Sequence, residues 1–316
     1  MVRDRLKRLV QFGLLTNKSF RFFRWFGVHV TPVHFYSPIP DLRELARDGF
    51  PGAGPSEMVG VDMRPQEQLR LLHEVIARFQ PECDFPFQPT GARNEFYVDN
   101  SYFGYSSAVA LHALIRRGRP HRVIEVGAGF SSLVIARAAL MNAAEGAPAE
   151  FTTIDPFPSR VVAVGVPGLS RVLAARVQDV GLAPFADLRE GDLVSIDSSH
   201  AVRTGGDVPF LYLEVLPRLA PGVLVHIHDV FLPEDYPHAW LRRRYFWSEQ
   251  YLVHALLLFS RGFEVVFAQR FAELSFPGEY AAAMGGRVNP RENFSSYSLW
   301  IRRTEDRVAD RSHGVR

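Results

Sequence analysis

The stretch RVIEVGAGFSS, residues 122–132, decides the fold, because an apolar run there passes through two glycines directly into a helical pattern. Its first five residues, Arg122 to Val126, predict a buried strand, and the residues from Phe130 through Leu140 predict a helix. Glycines at such a turn let the backbone approach a ligand closely, and the free amides at the start of the helix favour polar or anionic groups. The unit therefore predicts a nucleotide-like ligand beside the carboxyl end of the strand.

The same alternation of strand and helix continues from residue 101 onwards and predicts one doubly wound domain. Further strands are predicted at 151–154, 170–177, 192–196, 222–225, 263–269 and 297–302, further helices at 106–117 and 247–260, and a loop at 278–291. The predicted fold class is therefore α/β, with a Rossmann-like, mostly parallel sheet and helices on both faces.

The first hundred residues lack this alternation and predict an N-terminal helical and irregular cap. The region from Thr31 to Gly91 is rich in proline and glycine, with one convincing helix from Pro65 to Phe79. We therefore predict three parts: a cap with substrate or oligomer contacts over 1–100, a ligand-binding domain over 101–303, and a disordered tail over 304–316.

The composition limits the partners and the location. The 36 basic and 34 acidic residues leave a net charge of +2, too small to indicate nucleic acid as a partner. The one cysteine, Cys83, cannot form an internal disulfide, so a cytoplasmic location is expected. Neither a signal peptide nor a membrane span fits the N-terminal sequence.

The first thirty residues interleave basic and aromatic side chains, which predicts a basic amphipathic surface helix. Such a helix most often packs either against its own domain or against a second subunit, which would form a homo-oligomer through this segment. Contact with a membrane or a lipid substrate is the alternative.

Two details of the glycine turn distinguish between ligands. A dinucleotide fingerprint reads Gly-x-Gly-x-x-Gly, and its third glycine position holds Ser132 here. Glu125, at the end of the strand, is an unfavourable neighbour for a pyrophosphate but suits a cationic amino-acid and sulfonium ligand. The predicted ligand is therefore S-adenosylmethionine rather than a nicotinamide dinucleotide.

The segment from Val123 to Leu133 resembles motif I of the class I S-adenosylmethionine-dependent methyltransferases, and the likeness extends over residues 100 to 303. The resemblance implies seven strands with the last one antiparallel. It also implies that Asp155 binds the ribose hydroxyls and that Gln178-Asp179 binds the adenine amino group, with a plain loop carboxylate as the alternative for Asp179. The predicted cofactor-binding set is Tyr102, Glu125, Gly127, Gly129, Phe130, Ser131, Ser132, Asp155, Gln178, Asp179 and Asp197.

Polar residues follow the fourth and fifth predicted strands. Neighbouring parallel strands end at one edge of a sheet, so Asp197, His200, His228 and Asp229 should converge beside the methyl group of the cofactor. The segment Asp197-Ser198-Ser199-His200 comes after the fourth strand, and His226-Ile227-His228-Asp229 comes at the end of the fifth.

Strand periodicity places His226 and His228 on one face of the sheet, opposite Val225 and Ile227. For His226, a core histidine satisfied by its neighbours and a functional residue are both open interpretations. His228, beside Asp229 at the edge of the sheet, is favoured as a functional residue.

These two segments also resemble metal-dependent small-molecule O-methyltransferases, in which an aspartate after strand four and an acidic pair after strand five hold a magnesium ion. The resemblance makes Asp197 and Asp229 candidate ligands of a divalent metal, with His228 where that pattern has a carboxylate. Imidazole suits zinc, iron, manganese or nickel better than magnesium, so the metal and its identity are left open.

His200 is the predicted general base, because an imidazole with an ordinary pKa near ~6.5 accepts a proton at neutral pH. Asp197 and His228 complete the predicted catalytic set. Glu249 and His254, on the predicted helix at 247–260, are weaker candidates, because such a helix mostly packs on the sheet. The proline-flanked loop at 231–237 is predicted to form the edge of the substrate site.

A further resemblance, to bacterial sugar and secondary-metabolite O-methyltransferases, is carried by Tyr102 to Tyr105, Ile196 to His200 and His226 to Phe231. It implies methyl transfer to a hydroxyl group of a small molecule. An N- or C-methyltransferase and a non-catalytic subunit that binds S-adenosylmethionine are the alternatives on the same fold. A metallohydrolase is the least favoured alternative, because it would leave the glycine turn unexplained.

Overall fold

One sheet organises the protein, with its strands in the order β3-β2-β1-β4-β5-β7-β6. The computed structural model describes residues 5, 17–31, 33, 35–48, 54–159, 162, 165–286 and 297–304, and its sheet has seven strands within those ranges. Strands β1 to β5 pair in parallel, whereas β7 runs antiparallel to both β5 and β6. The strands are β1 Arg122–Val126, β2 Glu150–Ile154, β3 Arg171–Leu173, β4 Leu193–Ile196, β5 Leu224–His228, β6 Phe263–Ala268 and β7 Ser298–Arg303. The predicted Rossmann-like sheet with an antiparallel last strand is confirmed.

Helices connect the strands and precede the sheet. They are α1 Asn17–Trp25, α2 Leu42–Asp48, α3 Pro65–Leu71, α4 Ala77–Phe79, α5 Tyr105–Gly118, α6 Phe130–Ala144, α7 Val177–Val180, α8 Ala183–Ala186, α9 Asp207–Phe210, α10 His238–Arg242, α11 Glu249–Leu257, α12 Gln269–Ser275 and α13 Pro277–Ala283. A π-helical turn, Leu72–Ile76, joins α3 to α4, and a second one, Leu211–Val215, continues α9. The predicted helix at 65–79 is therefore continuous.

Two hydrophobic cores lie on opposite faces of the sheet, because neighbouring side chains of a strand point to opposite faces. Val123 and Leu193 pack with buried residues of α5 and α6 in the first core. Ile124, Val194 and Ile227 pack with buried residues of α9 and α11 in the second. The polar residues Glu125, Ser195, His226 and His228 alternate with members of the second core, so they lie on the face of α5 and α6.

Two predicted elements were wrong in extent. The third strand was predicted over 170–177, but β3 holds three residues, Arg171–Leu173, because it is an edge strand that pairs only with β2. The chain then turns into α7. The loop predicted at 278–291 contains most of α13, which starts at Pro277, a favourable first helical residue, and buries Tyr280 and Ala283. Residues 287–296 lie outside the described ranges.

The chain divides into two compact units, Met1–Ala53 with His238–Phe246, and Gly54–Pro237 with Trp247–Arg316. Helix α1, in the smaller unit, carries a small aromatic group in which the ring of Phe22 packs edge-on against Phe23 and Phe26 at 5.4 and 5.3 Å. The predicted limits at residues 100 and 303 stay a prediction, and the predicted tail lies outside the described residues after 304. Within the described ranges, no helix has the length and apolar character needed to cross a bilayer.

Candidate active site

The glycine turn, Gly127 to Gly129, joins β1 to α6, and its two glycines serve different purposes. Gly127 has a φ of +92°, and a Cβ built on it would lie 1.8 Å from the backbone oxygen of Asp197. A side chain is therefore excluded there by the end of β4. At Gly129 a Cβ would meet no atom within 4 Å, so the space in front of it is open to a ligand. The ends of β1 and β4 are thus in direct contact beside an open space.

Glu125 stabilises this turn through hydrogen bonds to the start of α6. Its side chain is fully buried, and its carboxyl oxygens accept hydrogen bonds from Ser131 Oγ at 2.7 Å and Ser132 Oγ at 2.5 Å. Ser132 Oγ in turn accepts the backbone N–H of Gly129 at 3.1 Å. Burial raises the pKa of Glu125 to about 8, against the lowering effect of the two serines. The structure therefore makes Glu125 a support of the turn, and its predicted contact with the cofactor stays a prediction.

Asp155, directly after β2, also stabilises the turn through a hydrogen bond. Its Oδ2 accepts the backbone N–H of Ala128 at 2.7 Å, and its Oδ1 accepts that of Phe157 at 2.6 Å. The carboxylate is thus fixed next to the glycine turn, with further lone pairs for a ligand. This position suits the predicted interaction with ribose hydroxyls.

Aromatic rings lie beside the turn at the first residue of α6. The ring of Phe130 is stacked with Tyr102, with 6.0 Å between centroids and 12° between planes, and packs edge-on against Tyr97 at 5.2 Å. Tyr102 is 76% exposed, so one face of its ring is accessible. The rings offer a flat apolar surface on which a planar ligand group can stack.

The predicted adenine-binding pair lies on α7 rather than at the end of a strand. Asp179 accepts two hydrogen bonds from the guanidinium of Arg176, at 2.7 and 2.8 Å, which lowers the pKa of this exposed carboxyl. Gln178 donates its side-chain amide to the backbone oxygen of Gly205 at 3.0 Å. Both side chains thus have local partners, and their predicted contact with adenine stays a prediction.

Beyond the ends of β4 and β5, Asp197, His200 and Asp229 form a group that we call the rim cluster. Each offers a ligand atom, and these atoms all lie within 4.8 Å of one another. His200 Nε2 is 3.3 Å from Asp197 Oδ1 and 3.7 Å from Asp229 Oδ2. Both His200 and Asp229 have a φ of +56°, a left-handed conformation that is uncommon outside glycine and that clusters at functional sites. The convergence predicted for these three residues is observed.

His200 is held on its other side by the start of α11. Its Nδ1 is 2.8 Å from Glu249 Oε2, and its carbonyl oxygen accepts the backbone N–H groups of Ser248 and Glu249 at 2.9 and 3.1 Å. Burial alone would lower the pKa of His200, but its hydrogen bonds with Asp197 and Glu249 raise it well above the ordinary value. Both ring nitrogens therefore face carboxylates, which suits an orienting or ligating imidazole better than a free base.

The two histidines of β5 share a face, as predicted, but differ in environment. His226 is fully buried between two hydroxyls, with Nδ1 2.8 Å from Ser195 Oγ and Nε2 2.9 Å from Ser298 Oγ. Burial lowers its pKa to about 3, so the ring is neutral. These contacts match the interpretation of His226 as a core histidine, satisfied by side-chain hydroxyls.

His228 lies closer to the rim cluster than His226 does, and one of its ring nitrogens has no hydrogen-bond partner among the described residues. Its Nδ1 is 3.3 Å from Ser298 Oγ, and its ring stacks on Phe103 with 4.5 Å between centroids. Its Nε2 is 3.5 Å from Asp229 Oδ1, and neither atom has a hydrogen-bond partner among the described residues. The geometric group of metal-ligating atoms contains His200 rather than His228.

Three neighbours of the cluster gave little or no signal in the sequence. Glu249 was a weak candidate, and Phe103 and Ser298 were not singled out as site residues. Ser298 lies opposite His228 in the antiparallel register of β5 and β7, so knowledge of that register would have revealed it. His254, predicted together with Glu249, is not a member of the rim cluster.

Comparison with known proteins gives two matches in sequence. Residues 124–230, which span β1 to the end of β5, match the family described as methyltransferase domain. An uncharacterised protein of Archaeoglobus fulgidus is 33% identical over 165 residues, which cover 50% of this chain and 73% of that protein. The glycine turn and the rim cluster both lie inside the span of the family match.

Among solved structures, cmcI-N160 SAH matches with 13% identity and a TM-score of 0.38, over 88% of this chain and 98% of that one. The O-methyltransferase from Bacillus cereus in complex with SAH matches with 12% identity and a TM-score of 0.36, over 74% and 91%.

Proposed function

We propose, on the premise that the chain belongs to the class I S-adenosylmethionine-dependent methyltransferases, that it transfers a methyl group to a hydroxyl oxygen of a small molecule. One observation carries the proposal. The backbone of Asp197 packs against Gly127 of the glycine turn, while its side chain belongs to the rim cluster. A cofactor at the turn and an acceptor at the cluster would therefore be neighbours.

The open space at Gly129 and the amides at the start of α6 fit a cofactor with a polar tail. In this proposal Asp155, which is bonded to the turn, binds the ribose, and the exposed face of Tyr102 stacks on a planar group. S-adenosylmethionine supplies an electrophilic methyl group. The task of the chain's own residues is then to hold the acceptor oxygen in line with that group and to remove its proton.

Asp197 and Asp229 would hold a divalent metal. Asp229 Oδ1 is a buried carboxylate oxygen without a hydrogen-bond partner among the described residues, a state that costs about 1–3 kcal/mol unless a cation or donor satisfies it. Hard carboxylate oxygens suit divalent metals, so the donor set fits. Such an ion supplies a positive charge that lowers the pKa of a bound hydroxyl group.

Proton removal is assigned to His228. Both nitrogens of His200, the predicted base, lie next to carboxylates, whereas His228 Nε2 has no hydrogen-bond partner among the described residues. Ser298 lies next to His228 Nδ1 and helps to set the ring orientation. His228 Nε2 would therefore accept the hydroxyl proton.

The resemblance to sugar and secondary-metabolite enzymes supports a hydroxyl group of such a molecule as the acceptor, and the segment at 231–237 would border it. The segment at 231–237 is anchored rather than loose, because Phe231 donates its backbone N–H to Gln250 Oε1 at 3.0 Å and Gln250 donates its own to Tyr236 Oη at 3.1 Å. We therefore propose that this segment is a fixed wall of the acceptor site.

The test is an assay with S-adenosylmethionine that carries a deuterated methyl group. The purified protein is incubated with sugars, phenols and amines, with and without a chelator, and products are identified by mass spectrometry. Transfer to hydroxyl acceptors that fails in His228→Gln supports the proposal. Transfer to amines or carbons alone would overturn the O-methyl assignment, and no transfer with intact cofactor binding would favour the non-catalytic alternative.

A further inference from the structure

We propose that His200 is the third protein ligand of the metal at Asp197 and Asp229, and that Glu249 is the positioning residue that orients it. This inference rests on the proposed function, because it specifies the metal site of that function. It replaces His228 by His200 in the ligand set and gives Glu249 a purpose that packing alone does not explain.

The distances within the rim cluster suit a shared ion. Two ligand atoms about 2.1 Å from a metal lie about 3.0–3.4 Å apart when they subtend angles of about 90–110°. The 3.3 Å from His200 Nε2 to Asp197 Oδ1 lies within this range, whereas the 3.7 Å to Asp229 Oδ2 corresponds to a wider angle of about 124° at the same bond lengths. Both separations exceed the 2.8 Å of the His200–Glu249 contact. Nε2 thus lies farther from its two carboxylates than Nδ1 lies from Glu249, as expected for atoms that share an ion.

Glu249 fixes the orientation of the His200 imidazole through its contact with Nδ1. His200 Nδ1 lies 2.8 Å from Glu249 Oε2, so with a metal bound Glu249 would accept the Nδ1 proton and Nε2 would offer its lone pair between the two aspartates. A carboxylate behind a ligating histidine is a frequent arrangement in metal proteins, where it sets the tautomer and increases ligand basicity. The backbone contacts of Ser248 and Glu249 with the His200 carbonyl fix the main chain as well.

The burial of Glu249 needs such a partner. Its side chain is only 1% exposed, and a buried carboxylate without a specific partner is strongly unfavourable. A residue whose purpose was packing on the sheet would be apolar here, like Val253 and Leu257 further along α11. The carboxylate of Glu249 is therefore explained by its contact with His200 Nδ1.

A second observation near the cluster points to a ligand. His228 is 1% exposed, and its Nε2 lies 3.5 Å from Asp229 Oδ1, another buried atom without a hydrogen-bond partner among the described residues. Buried polar atoms without partners are rare and usually mark a place where an ion, water or substrate binds. Two of them, side by side, adjoin the rim cluster.

The donor set indicates the class of metal. One imidazole nitrogen with two carboxylate oxygens suits manganese, iron, cobalt or zinc, whereas magnesium prefers oxygen ligands throughout. We therefore expect the site to bind Co²⁺ and Mn²⁺ more tightly than Mg²⁺.

The experiment titrates Co²⁺ into the full chain and follows its visible d–d bands. Glu249→Gln should weaken Co²⁺ binding about 10–100-fold, as the loss of a carboxylate bonded to a ligating histidine does at other metal sites. His200→Asn should weaken it further and alter the band shape. Matched exposed controls, Glu279→Gln at the start of α13 and His73→Asn, should leave binding unchanged. Glu249→Asp should restore part of the loss.

Calorimetric titration of the same preparations with S-adenosylmethionine measures cofactor binding separately from Co²⁺ binding. It therefore separates this inference from the proposed function. Cofactor binding that persists while Co²⁺ binding is lost supports the inference. Absence of cofactor binding in the native protein would defeat the proposed function, whatever the metal result. Equal Co²⁺ affinity in His200→Asn and the native chain would overturn the inference.

A measurement on the native sequence covers the case in which the variants do not fold. With ¹⁵N-histidine labelling and bound Mn²⁺, electron spin echo modulation detects a directly ligated imidazole nitrogen. A ¹⁵N coupling of ligand strength supports histidine ligation. Its absence, or no Mn²⁺ binding at all, would overturn the inference.

Discussion

The glycine turn and the rim cluster lie at the same edge of the sheet but are assembled over different lengths of chain. Glu125 bonds to Ser131 and Ser132, six and seven residues away. His200 bonds to Glu249, 49 residues away. The bonds of Glu125 within the turn can therefore form from one strand-turn-helix unit, whereas the rim cluster with Glu249 exists only when α11 has packed on the sheet.

Within the glycine turn, the two glycines also differ in the room that they leave for a side chain. At Gly127 the neighbouring strand end leaves no room for a Cβ, while at Gly129 the space is open. One glycine thus serves the contact between the regions and the other serves the ligand. Substitutions in the two regions should accordingly affect stability, cofactor binding and turnover separately.

The largest expected effect is a difference in stability between alanine variants of the two glycines. Gly127→Ala places a Cβ 1.8 Å from the Asp197 oxygen at a φ of +92°, so we expect a loss of about 3–5 kcal/mol in the free energy of unfolding. Gly129→Ala should change that free energy by less than about 1 kcal/mol but weaken S-adenosylmethionine binding at least about tenfold. Urea unfolding and calorimetry measure the two quantities. Equal stability of both variants would contradict the assignment.

A second comparison separates His226 from His228 on β5. His228→Gln removes the proposed proton acceptor, so kcat should fall about 10²–10⁴-fold while the Kd for S-adenosylmethionine stays within about threefold. His226→Gln disturbs hydrogen bonds to Ser195 and Ser298, so it should lower the melting temperature and spare kcat per folded molecule. Steady-state assays with the acceptor found by mass spectrometry provide the check. Full activity in His228→Gln would remove it from the mechanism.

The smallest predicted effect is a pH dependence on the cofactor side. Burial raises the pKa of Glu125 to about 8 in the folded chain, above the ordinary 4.5. As pH rises from 4.5 to 8, the unfolded chain loses this proton and the folded chain keeps it, so stability falls over that window. Glu125→Gln should flatten the fall of the melting temperature between pH 5 and pH 9 by several degrees, about 3–8 °C. Thermal unfolding across pH measures it, and parallel curves for the two proteins would show that Glu125 does not titrate as described.

The sequence predicted best what is encoded locally. Residues 122–132 carry their strand, turn and helix in eleven consecutive positions, and the strand ends at Asp197 and Asp229 follow from the topology of a parallel sheet. The shared face of His226 and His228 followed from strand alternation. These features depend on residue periodicity and on strand order, both of which can be read from the sequence.

The remaining features depend on contacts that no local pattern encodes. Glu249 looked like part of a packing helix, and only the position of α11 brings it to His200. Ser298 reaches the β5 histidines through an antiparallel register more than seventy residues away from His226. The role of His200 as base stays a prediction, and its pKa depends in the same way on burial and on carboxylates from three separate segments.

The most direct test of the central claim is calorimetric titration of the purified chain with S-adenosylmethionine and, separately, with NAD. We predict micromolar binding of S-adenosylmethionine in the native chain and in His228→Gln, weakened binding in Gly129→Ala, and no binding of NAD. Binding of NAD without S-adenosylmethionine, or binding that is lost in His228→Gln but unaffected by Gly129→Ala, would contradict a cofactor site at the glycine turn.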